Sequence, residues 1–531
     1  MATSKVLQFL VGKSNKGKYP AVCGSELSVN MYRGDNNGVT FQESCTGIKK
    51  VMTITGKCRG SYVSTTGLSS EHSKEDMFAV FGNVLYRITE TGRTKIFTVA
   101  PNGKRVCFAE TGGMSPYMLV ADGVNLFWYD LQQGTWGKIQ LPNSMEADSH
   151  TVKPTHVAVV NGTVVINDVD SGFCYYSYRY PLATETREVF DLEDGQVQYE
   201  TDGITVKMKT VSSFDWMFLD DYGTAMFFST VSSSDSVNGL IAVGAYLYVF
   251  GPKSIEIKSY LGQENNTWSD LYFSVQSTIG LESPDSLCTI GNTVFFVSTG
   301  AQRGKTIMSI TGTDFEPVSE NWLEEKLESE STSSSFGFTY ATGHHQFVVM
   351  QLETLKETWV YDISTGEWHQ RTSRNPSSGL ETQWRGSSAA YWHQTMWVFT
   401  KDGIVGKLEG FTEDYPNNIT LPVIRHRQSP VFVSDNRPFI IEELALECNV
   451  GCNEDYRQDP EVLLEVSKDG GMTFGNTRST KFGRTGQYNH RVRFHALGMV
   501  RQCVVKVTFS EPMDFVLTDA DVRAGRTSAM I

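Results

Sequence analysis

The acidic side chains that could perform catalysis are concentrated in residues 320–328, where four glutamates stand close together. Paired carboxylates would suit general acid–base hydrolysis of a glycosidic bond. However, consecutive glutamates on one short helix lie mostly in water, so a solvated helix face is the better interpretation. Ser319 is expected to cap this helix, with Leu323 and Leu327 one turn apart on its packed face and Trp322 beside them.

A second group of residues resembles a phosphate-binding loop but lacks one required part. Gly12, Lys13 and Ser14 match the end of such a loop, yet the loop needs a glycine where Leu7 stands. Residues 11–18 are therefore predicted to form a solvated, lysine-rich arm.

The chain has nine cysteines, an odd number without a repeating spacing, so no disulfide framework is expected. Cys448 and Cys452 have the spacing of a metal-binding pair, but no second pair follows them. His344 and His345 stand next to the turn glycine Gly343 and are expected on a loop surface. We therefore predict free core thiols, typical of a reducing cytoplasm, and no metal, cofactor or catalytic site.

A hairpin motif near the C-terminal end has recognisable spacing. Its five residues are Ser467, Asp469, Gly471, Thr473 and Phe474. They fit the pattern S-x-D-x-G-x-T-[WF], the Asp-box of sialidases and of many β-proteins that are not enzymes. The aspartate and the hydroxyls would hold the turn, and the aromatic ring would plug the hairpin against a core. The box therefore predicts architecture and no chemistry.

The elements that must position these residues are predicted to be almost entirely strands. Between residues 51 and 410 an apolar strand, a tight turn and a second apolar strand recur, as in residues 77–88 with a turn at Gly82. The copies are spaced by roughly 40 to 50 residues, the repeat length of a β-propeller blade. About seven copies would close a ring.

Two connections between these strands, residues 130–136 and 362–368, read D-x-x-x-G-x-W, a pattern of kelch-like blades. The glycine makes a turn, and Trp136 and Trp368 follow it at the same spacing. We interpret both rings as plugs between blades rather than as sugar-binding platforms.

After Pro416 the pattern changes to longer alternating strands, which predict a β-sandwich-like domain over residues 411–517. Its expected core residues are Leu444, Leu446, Val462, Leu464, Val466, Val505, Val507 and Phe509. The fold class is therefore all-β, a propeller followed by this additional C-terminal domain.

The remaining segments complete the predicted domain organisation. Residues 1–50 are expected to form an N-terminal arm and strands before a propeller over residues 51–410. Residues 183–238 read as an acidic insertion between two blades. Residues 518–531 have too little apolar content to pack and are predicted to be a tail.

Length and charge exclude several classes of protein. A chain of 531 residues is too long for one core, so two to four domains are expected. A net charge of -14 argues against a molecule that grips nucleic acid, because lysine and arginine dominate phosphate binding. The apolar run at residues 6–11 is short and lacks a cleavage site, and no other run is long enough to cross a membrane.

Several segments, taken in order, carry a family resemblance. In the C-terminal region they are SKDGGMTFGN from Ser467, KFGRTGQYNHRVRFHALG from Lys481 and VVKVTFSEP from Val504. In the repeats they are LYVFGPKSIEIKSY from Leu247, TIGLESPDSLCTIGNTVFFVS from Thr278 and TWVYDISTGEWHQR from Thr358. Together they resemble the packaged-DNA stabilisation protein, or tail hub (nozzle), of short-tailed bacteriophages. The similarity covers most of residues 50–515 and is thinnest at 183–238 and in the first fifty residues, apart from residues 28–32.

This resemblance implies a structural protein of the virion tail that is assembled in the host cytoplasm. The family's hub is a ring of six copies below the portal and its adaptor, extending the DNA channel and closing it after packaging. Its expected partners are therefore other copies of itself, the portal adaptor, and tailspike, fibre or needle proteins. Viral double-stranded DNA would pass through the channel without tight binding, and no membrane insertion is expected.

Two other functions remain open at this point. A carbohydrate-binding or sialidase-like propeller is the main alternative, because sialidases share the propeller and the Asp-box. They need three arginines around a carboxylate and usually several boxes, whereas this chain has one box, outside the repeats. A kelch-type interaction module is the third possibility.

The C-terminal domain also contains a basic stretch that is a candidate docking surface. Its residues are Arg478, Lys481, Arg484, Arg491, Arg493 and Arg501, followed by Lys506. No aspartate or glutamate interrupts them. Arg491 and Arg493 alternate with Val492 and Phe494, so both should project from one face, away from the core. We expect this face to meet an acidic surface on a neighbouring subunit or on the adaptor, with a solvated sheet face as the alternative.

Overall fold

The computed structural model describes most of the chain. The described residues are 5–6, 26–65, 75–112, 116–145, 150–177, 185–188, 198–199, 204–211, 214, 217–220, 224–230, 236–263, 266–273, 279–300, 304–329, 331–433, 437–451 and 459–526. Residues 11–18, interpreted above as a lysine-rich arm, and Cys452 lie outside them.

Seven sheets surround a central channel, so the larger part of the chain is a seven-bladed β-propeller. One inner strand of each sheet lines the channel, which in the fifth sheet is Cys288–Ile290, and apolar side chains fill the spaces between neighbouring sheets. The hairpin turn predicted in residues 77–88 is formed by Gly82 at a φ of 56°, which a glycine adopts without a steric penalty. The alternation and turn chemistry of the sequence therefore account for the blades.

The first four blades follow one another along the chain. Blade 1 contains Cys58–Val63, Met77–Phe81, Val84–Ile88 and Arg93–Thr98. Blade 2 contains Cys107–Glu110, Tyr117–Ala121, Leu126–Asp130 and Trp136–Ile139. Blade 3 contains Val157–Val160, Thr163–Asn167, Phe173–Tyr176 and Phe227–Ser229. Blade 4 contains Gly239–Val243, Tyr246–Phe250, Ile255–Gln263 and Asn266–Phe273.

The last three blades include a strand from the N-terminal region. Blade 5 contains Ile279–Leu281, Cys288–Ile290, Thr293–Gly300, Thr306–Thr311 and Asp314–Pro317. Blade 6 contains Phe336–Thr342, His345–Leu352, Glu357–Asp362 and Glu367–Gln370. Blade 7 contains Gly386–Trp392, Thr395–Thr400, Ile404–Leu408 and, as its outer strand, Ile48–Thr53, beyond which lie Thr412–Asp414 and Thr420–Pro422. The ring is therefore closed by a strand that begins before residue 51, and the predicted limits 51–410 are too narrow at their start.

The predicted insertion at residues 183–238 also requires a correction. It contains Phe227–Ser229, the outer strand of blade 3, which pairs with Phe173–Tyr176. A separate hairpin, formed by Glu185–Glu188 and Met208–Val211, precedes that strand. The C-terminal part of this segment thus belongs to a blade rather than lying between two blades.

The two D-x-x-x-G-x-W connections form the same turn. The Asp362 carboxylate accepts a hydrogen bond from the Ser364 N–H at 2.9 Å, and the Gly366 N–H donates to the Asp362 carbonyl at 2.8 Å. The Asp130 carboxylate likewise accepts a bond from the Gln132 N–H at 2.7 Å. The shared pattern therefore predicts the turn correctly in both blades.

The two tryptophans that follow these turns differ in burial. Trp368 is 2% exposed between blades 5 and 6, and its indole N–H donates to the Val318 carbonyl at 2.8 Å. Trp136 is 47% exposed, with its ring centroid 5.1 Å from that of Phe97 in blade 1. The plug interpretation is confirmed for Trp368 and is wrong for Trp136, which covers Phe97 at the surface.

The helix spans Asn321–Ser329 and covers the space between blades 5 and 6. Leu323, Leu327 and Trp322 are buried there, as predicted. Ser319 does not cap the helix backbone. Its hydroxyl accepts a hydrogen bond from the Ile307 N–H at 3.0 Å and donates to the Glu324 carboxylate, because it lies against a strand of blade 5.

The C-terminal domain is a β-sandwich with two sheets. One sheet contains Lys5–Val6, Met31–Asn36, Val39–Ser44, Phe439–Cys448, Val492–Val500 and Leu517–Arg526. The other contains Leu27–Val29, Arg425–Gln428, Phe432–Val433, Glu461–Ser467, Arg478–Lys481 and Gln502–Phe509. Seven of the eight predicted core residues are buried between the sheets, and Val466 is half-buried against them.

The predicted tail at residues 518–531 is not a tail in its described part. Leu517–Arg526 is a central strand of the first sheet and pairs with Phe439–Cys448 along its length. Ala520 is fully buried and Val522 packs against the core, whereas the intervening Asp521 points away. Low apolar content thus hides a strand whose inward side chains are small.

The two domains share one sheet. Leu27–Val29 pairs in parallel with Glu367–Gln370 of blade 6 and antiparallel with Arg425–Gln428 of the sandwich. Because these strands are hydrogen-bonded neighbours, blade 6 and the second sandwich sheet form a single ten-stranded sheet. A three-residue N-terminal strand therefore fixes the sandwich to the propeller.

The seven described cysteines are free thiols, and each is buried or half-buried. Burial raises the pKa of both Cys45 and Cys58 to about 11, so these thiols stay protonated. Among the described residues, no three or more histidine, cysteine, aspartate or glutamate side chains gather as a metal site would require. In the same part of the chain, no helix has the length and apolar character needed to cross a membrane.

Candidate functional site

The Asp-box forms the predicted hairpin turn of the sandwich. The Asp469 carboxylate accepts hydrogen bonds from the Thr473 N–H at 2.9 Å and from the Thr473 hydroxyl at 2.5 Å. The Ser467 hydroxyl donates to Asp469 at 2.6 Å and accepts a bond from the Gly471 N–H at 2.8 Å. Gly471 has a φ of 95°, which explains the glycine at this position.

These hydrogen bonds determine what Asp469 can do. The bonds from the Ser467 hydroxyl and from Thr473 hold the pKa of the Asp469 carboxyl well below its usual range. An acid that stays ionised at neutral pH accepts hydrogen bonds well but is a poor general acid. The geometry therefore suits Asp469 to holding the turn.

Phe474, the aromatic residue of the box, does not plug the sandwich core. It is half-buried and absent from the core cluster, with the Lys506 ammonium 5.7 Å from its ring centroid. The ring lines a cleft of about 330 Å³ between the sandwich and the propeller. The expected plug is thus wrong because the hairpin folds over the domain junction instead of the core.

The cleft beneath Phe474 is polar. The junction strand supplies Leu27 to its floor, Gln428 lies beside it, and Glu381 stands on the propeller side. Burial raises the pKa of Glu381, although the Thr372 hydroxyl donates a hydrogen bond to its carboxylate at 3.0 Å. The Asp-box thus meets the propeller across a small polar cleft.

The basic stretch of the sandwich presents its side chains as the alternation predicts. Val492 and Phe494 are buried, whereas Arg491 is exposed and the side chain of Arg493 is 39% exposed. Arg501 is exposed where the next strand begins. The cations therefore project from the outer surface of the sandwich.

In the folded protein, acidic side chains from other parts of the sequence lie beside the basic stretch. Asp459 lies 3.0 Å from the Lys481 ammonium and forms an ion pair with Arg484. Those two cations hold the pKa of Asp459 well below its usual range, Arg484 having the larger effect. Both cations thus already have an acidic partner.

Two further carboxylates come from neighbouring strands. Glu443 lies 3.5 Å from both Arg493 and His495, and Glu465 lies 3.2 Å from Lys506. The expectation of an unmixed patch is therefore wrong, because strand pairing brings in acids that lie far away in the sequence.

Three arginines of the stretch form no ion pair within the described part of the chain. Arg478 donates to the carbonyls of His495 and Ala496 at 2.8 and 3.0 Å. Arg491 and Arg501 have no hydrogen-bond or ion-pair partner among the described residues. Among the described residues of the stretch, Arg491 and Arg501 are thus the cations that remain available to pair with an acidic partner.

The propeller channel is a second candidate site. It encloses about 480 Å³ and is lined by residues from all seven blades. At one side, the Glu110 carboxylate accepts hydrogen bonds from the Tyr62 hydroxyl at 3.0 Å and from the Thr65 N–H at 2.9 Å. At another, burial lowers the pKa of His156, whose Nε2–H donates to the Pro284 carbonyl at 3.3 Å. Glu110 and His156 thus both use hydrogen bonds to stabilise the fold.

His345 also differs from its predicted role. It begins a strand of blade 6 rather than lying on a loop surface, and its Nδ1 is 2.7 Å from the Asp362 carboxylate. That hydrogen bond raises the pKa of His345. Because Asp362 also holds the D-x-x-x-G-x-W turn, the histidine supports the turn.

The buried arginines at the domain junction were missed by the sequence reasoning. Arg425 is fully buried and donates to the carbonyls of Met513, at 2.5 Å, and Glu511. Arg427 is also fully buried and donates to the Ser28 hydroxyl at 3.1 Å. Burial lowers the pKa of both to about 10. The sequence signal for these residues is the run Arg425, His426 and Arg427. A strand with such charged side chains is interpreted as solvent-exposed as long as the strands that pair with it are not known.

Asn30 completes the junction. Its side chain donates to the Thr372 hydroxyl at 2.9 Å and to the Ile424 carbonyl at 2.7 Å, and accepts a bond from the Thr372 N–H at 2.9 Å. Its φ of 53° lies in the left-handed region that asparagine tolerates. The residues at 28–32, which carried the N-terminal family resemblance, thus join the two domains.

Family models match both domains in the order in which they occur. The model described as bacteriophage P22 Gp10, beta-propeller, matches residues 25–413, and the model described as bacteriophage P22 Gp10, beta-sandwich, matches residues 424–525. The chain belongs to the bacteriophage P22 Gp10 family. Since this is a family of structural phage proteins, the chain is a structural component of a phage tail. The match also includes strands that the predicted limits had placed outside the two domains.

Solved structures show only a distant likeness to this member of the Gp10 family. The extracellular domain of the one-component system BT4673 from B. thetaiotaomicron is 11% identical with a TM-score of 0.34, over 68% of this chain and 40% of that chain. BamB from Moraxella catarrhalis is 11% identical with a TM-score of 0.30, over 67% and 97% of the two chains. BBS1N in complex with ARL6DN is 12% identical with a TM-score of 0.38, over 69% and 96%. No curated protein sequence matches the chain.

Proposed function

We propose that this chain is the tail hub, or nozzle, a ring of six copies that lies below the portal and its adaptor. The ring would extend the DNA channel, close it after packaging and so stabilise the packaged DNA. The observation that carries this proposal is the match of both domains, in order, to the bacteriophage P22 Gp10 models. The shared ten-stranded sheet supports it, because a ring component must hold its two domains in a fixed relation.

The charge of the chain supports a path along which DNA slides. With a net charge of -14, six copies would present excess carboxylate to the duplex, and strong attachment would oppose rapid ejection. Many of the sandwich cations are also already paired with acids. Isolated protein should therefore bind duplex DNA only weakly at physiological salt, and sub-micromolar binding there would contradict the proposal.

The sandwich would supply the contact with the next subunit or with the adaptor. Arg491 and Arg501 are the exposed cations of the basic stretch without a partner among the described residues. Opposite potentials guide ring components into register and reject wrong pairings. We therefore place the acidic surface of the neighbour against these two arginines.

Changing Arg491 and Arg501 together to Glu tests this contact. The variant should fold normally, since neither side chain is buried, yet should fail to assemble or to retain DNA when added to DNA-filled heads that lack this protein. The control changes the exposed Lys95 and Lys138 of the propeller to Glu, which alters the net charge by the same amount. Normal DNA retention by the sandwich variant would refute the docking role. Arg493 is less suitable for this test, because Arg493→Glu would face Glu443.

The propeller would anchor tailspikes, fibres or a needle protein at the outside of the ring. In the described part of the chain, no further strand pairs with the outer strands of blades 1 to 5, which offer such attachment. The free thiols of the described cysteines suit assembly in the reducing host cytoplasm before the protein enters the virion. The chain would carry out no catalysis. A screen for glycosidase and esterase activity of the assembled protein checks this, and activity lost through one carboxylate substitution would overturn it.

A further inference from the structure

An arginine at one mouth of the propeller channel contacts two other blades. Arg105 precedes the inner strand of blade 2, and its Nη1 donates to the Ser387 carbonyl of blade 7 at 2.9 Å. Its guanidinium also lies 4.4 Å from the ring centroid of Phe336 in blade 6. The side chain of this blade 2 residue thus contacts blades 7 and 6, which lie beyond blade 1 in the ring.

Most of the hydrogen-bonding capacity of Arg105 remains unused. Its Nε and Nη2 make no hydrogen bond to any described residue, although the side chain lines the cavity and protein atoms crowd it. Burial lowers the pKa of Arg105. Arg59 of blade 1 shows the contrast, since its Nε, Nη1 and Nη2 all donate to protein oxygens. Arg59 is therefore a structural arginine, whereas Arg105 has donors to offer to a ligand.

A carboxylate without a partner lines the same cavity. Asp285 makes no hydrogen bond or ion pair within the described part of the chain, and it lies more than 4.0 Å from Arg105. The two charges influence each other but leave a gap between them. The arginine therefore keeps its donors free even with an acid in the same cavity.

Cations and carboxylates both lie near Arg105, and the carboxylates of Asp285 and Glu353 act on it electrostatically. The ammonium groups of Lys57 and Lys401 lie 5.6 and 5.4 Å from the same Phe336 ring. Within the described part of the chain, Lys401 is paired with Glu353 at 2.5 Å, whereas Lys57 has no ion-pair partner. Burial, together with the nearby positive charges of Lys57 and Lys356, lowers the pKa of Lys401 to about 8. Arg105, Lys57 and Lys401 thus all lie near the Phe336 ring.

We propose that this mouth of the channel binds a small oxyanion, a phosphate or carboxylate group, held by the Nε and Nη2 of Arg105. Charge-assisted hydrogen bonds to a guanidinium are strong, and a partly enclosed site screens them less than open water does. Lys57 would add long-range attraction. The cavity of about 480 Å³ admits a free anion or a chain end, but not a DNA duplex. This site is independent of the hub proposal.

Calorimetry of the full-length protein with inorganic phosphate and with acetate, at constant ionic strength, tests the site. We expect a Kd on the order of 1 mM for phosphate. Arg105→Gln should weaken binding by about tenfold, because it removes the charge-assisted donors. Asp285→Asn should strengthen binding by about threefold, because it removes a repelling charge. The control Arg93→Gln, at an exposed position of blade 1, should leave the Kd unchanged.

Arg105→Gln and Asp285→Asn are expected to change the Kd for phosphate in opposite directions. The test therefore remains decisive even if Arg105→Gln unfolds, because the gain expected for Asp285→Asn can still be measured. A structural role for Arg105 alone would give no phosphate binding by the parent protein and no gain with Asp285→Asn. Either result would overturn the proposal. A duplex DNA titration separates the sources of the anion, and binding of duplex without binding of free phosphate would also overturn it.

Discussion

The two tryptophans that follow identical turn motifs should differ in their contribution to stability. Trp368 is 2% exposed and donates a hydrogen bond to the Val318 carbonyl, whereas Trp136 is 47% exposed. Replacing a buried tryptophan by alanine removes apolar contacts and leaves a cavity, which costs about 3 to 5 kcal/mol. About half of the Trp136 surface is already in water, so its replacement should cost about 1 to 2 kcal/mol.

Differential scanning calorimetry of Trp368→Ala and Trp136→Ala compares the two sites. A loss of about 1 kcal/mol lowers the Tm of a large domain by roughly 2 to 4 °C, so Trp368→Ala should lower it by about 6 °C or more. Trp136→Ala is the matched control, since it makes the same chemical change after the same turn. Equal shifts, or a larger shift for Trp136→Ala, would refute the assignment of Trp368 as the interblade plug.

Three further changes test other parts of the fold. Asp469→Ala should lower the Tm above pH 4 by loosening the hairpin turn, and the effect should shrink as pH falls through the depressed pKa of Asp469. Burial lowers the pKa of His369 to about 3. As the pH falls below 6.5, this histidine therefore takes up its proton in the unfolded chain before it does so in the folded protein. The free energy of unfolding should then fall by up to about 1.4 kcal/mol per pH unit. His369→Gln should flatten that dependence in urea titrations, and the exposed His344→Gln should not. Arg425→Lys keeps the charge but cannot reach both carbonyls, so it should cost about 1 to 3 kcal/mol, against less than about 0.5 kcal/mol for the exposed Arg523→Lys. Chemical denaturation monitored by circular dichroism would show equal losses for both lysine variants if the junction role of Arg425 were wrong.

The blades could be predicted from the sequence because their signals are local. Alternating apolar residues and turn glycines, such as Gly82 and Gly366, act within a few residues of the element that they form. The sandwich core was predictable for the same reason, as at Leu464 and Val507, which are both buried. Local patterns thus indicate which segments are strands and which of their faces are buried.

The predictions that were wrong concern features that depend on contacts between distant parts of the chain. Asp459 and Glu443 neutralise cations that stand in an acid-free stretch of sequence, because pairing places other strands beside it. Leu27–Val29 is too short to be recognised as the strand that joins the domains. Trp136 and Trp368 share one motif, but only Trp368 lies beneath a helix. The strand register and the elements that cover a residue therefore determine whether that residue is paired or buried.

The most direct test of the central claim is cryo-electron microscopy of portal–adaptor complexes incubated with the purified chain. The hub proposal predicts a closed ring of six copies, coaxial with the portal, in which the sandwich carries Arg491 and Arg501 toward an acidic surface of a neighbour. Free monomers beside unoccupied adaptors, or single copies bound off the axis, would contradict it.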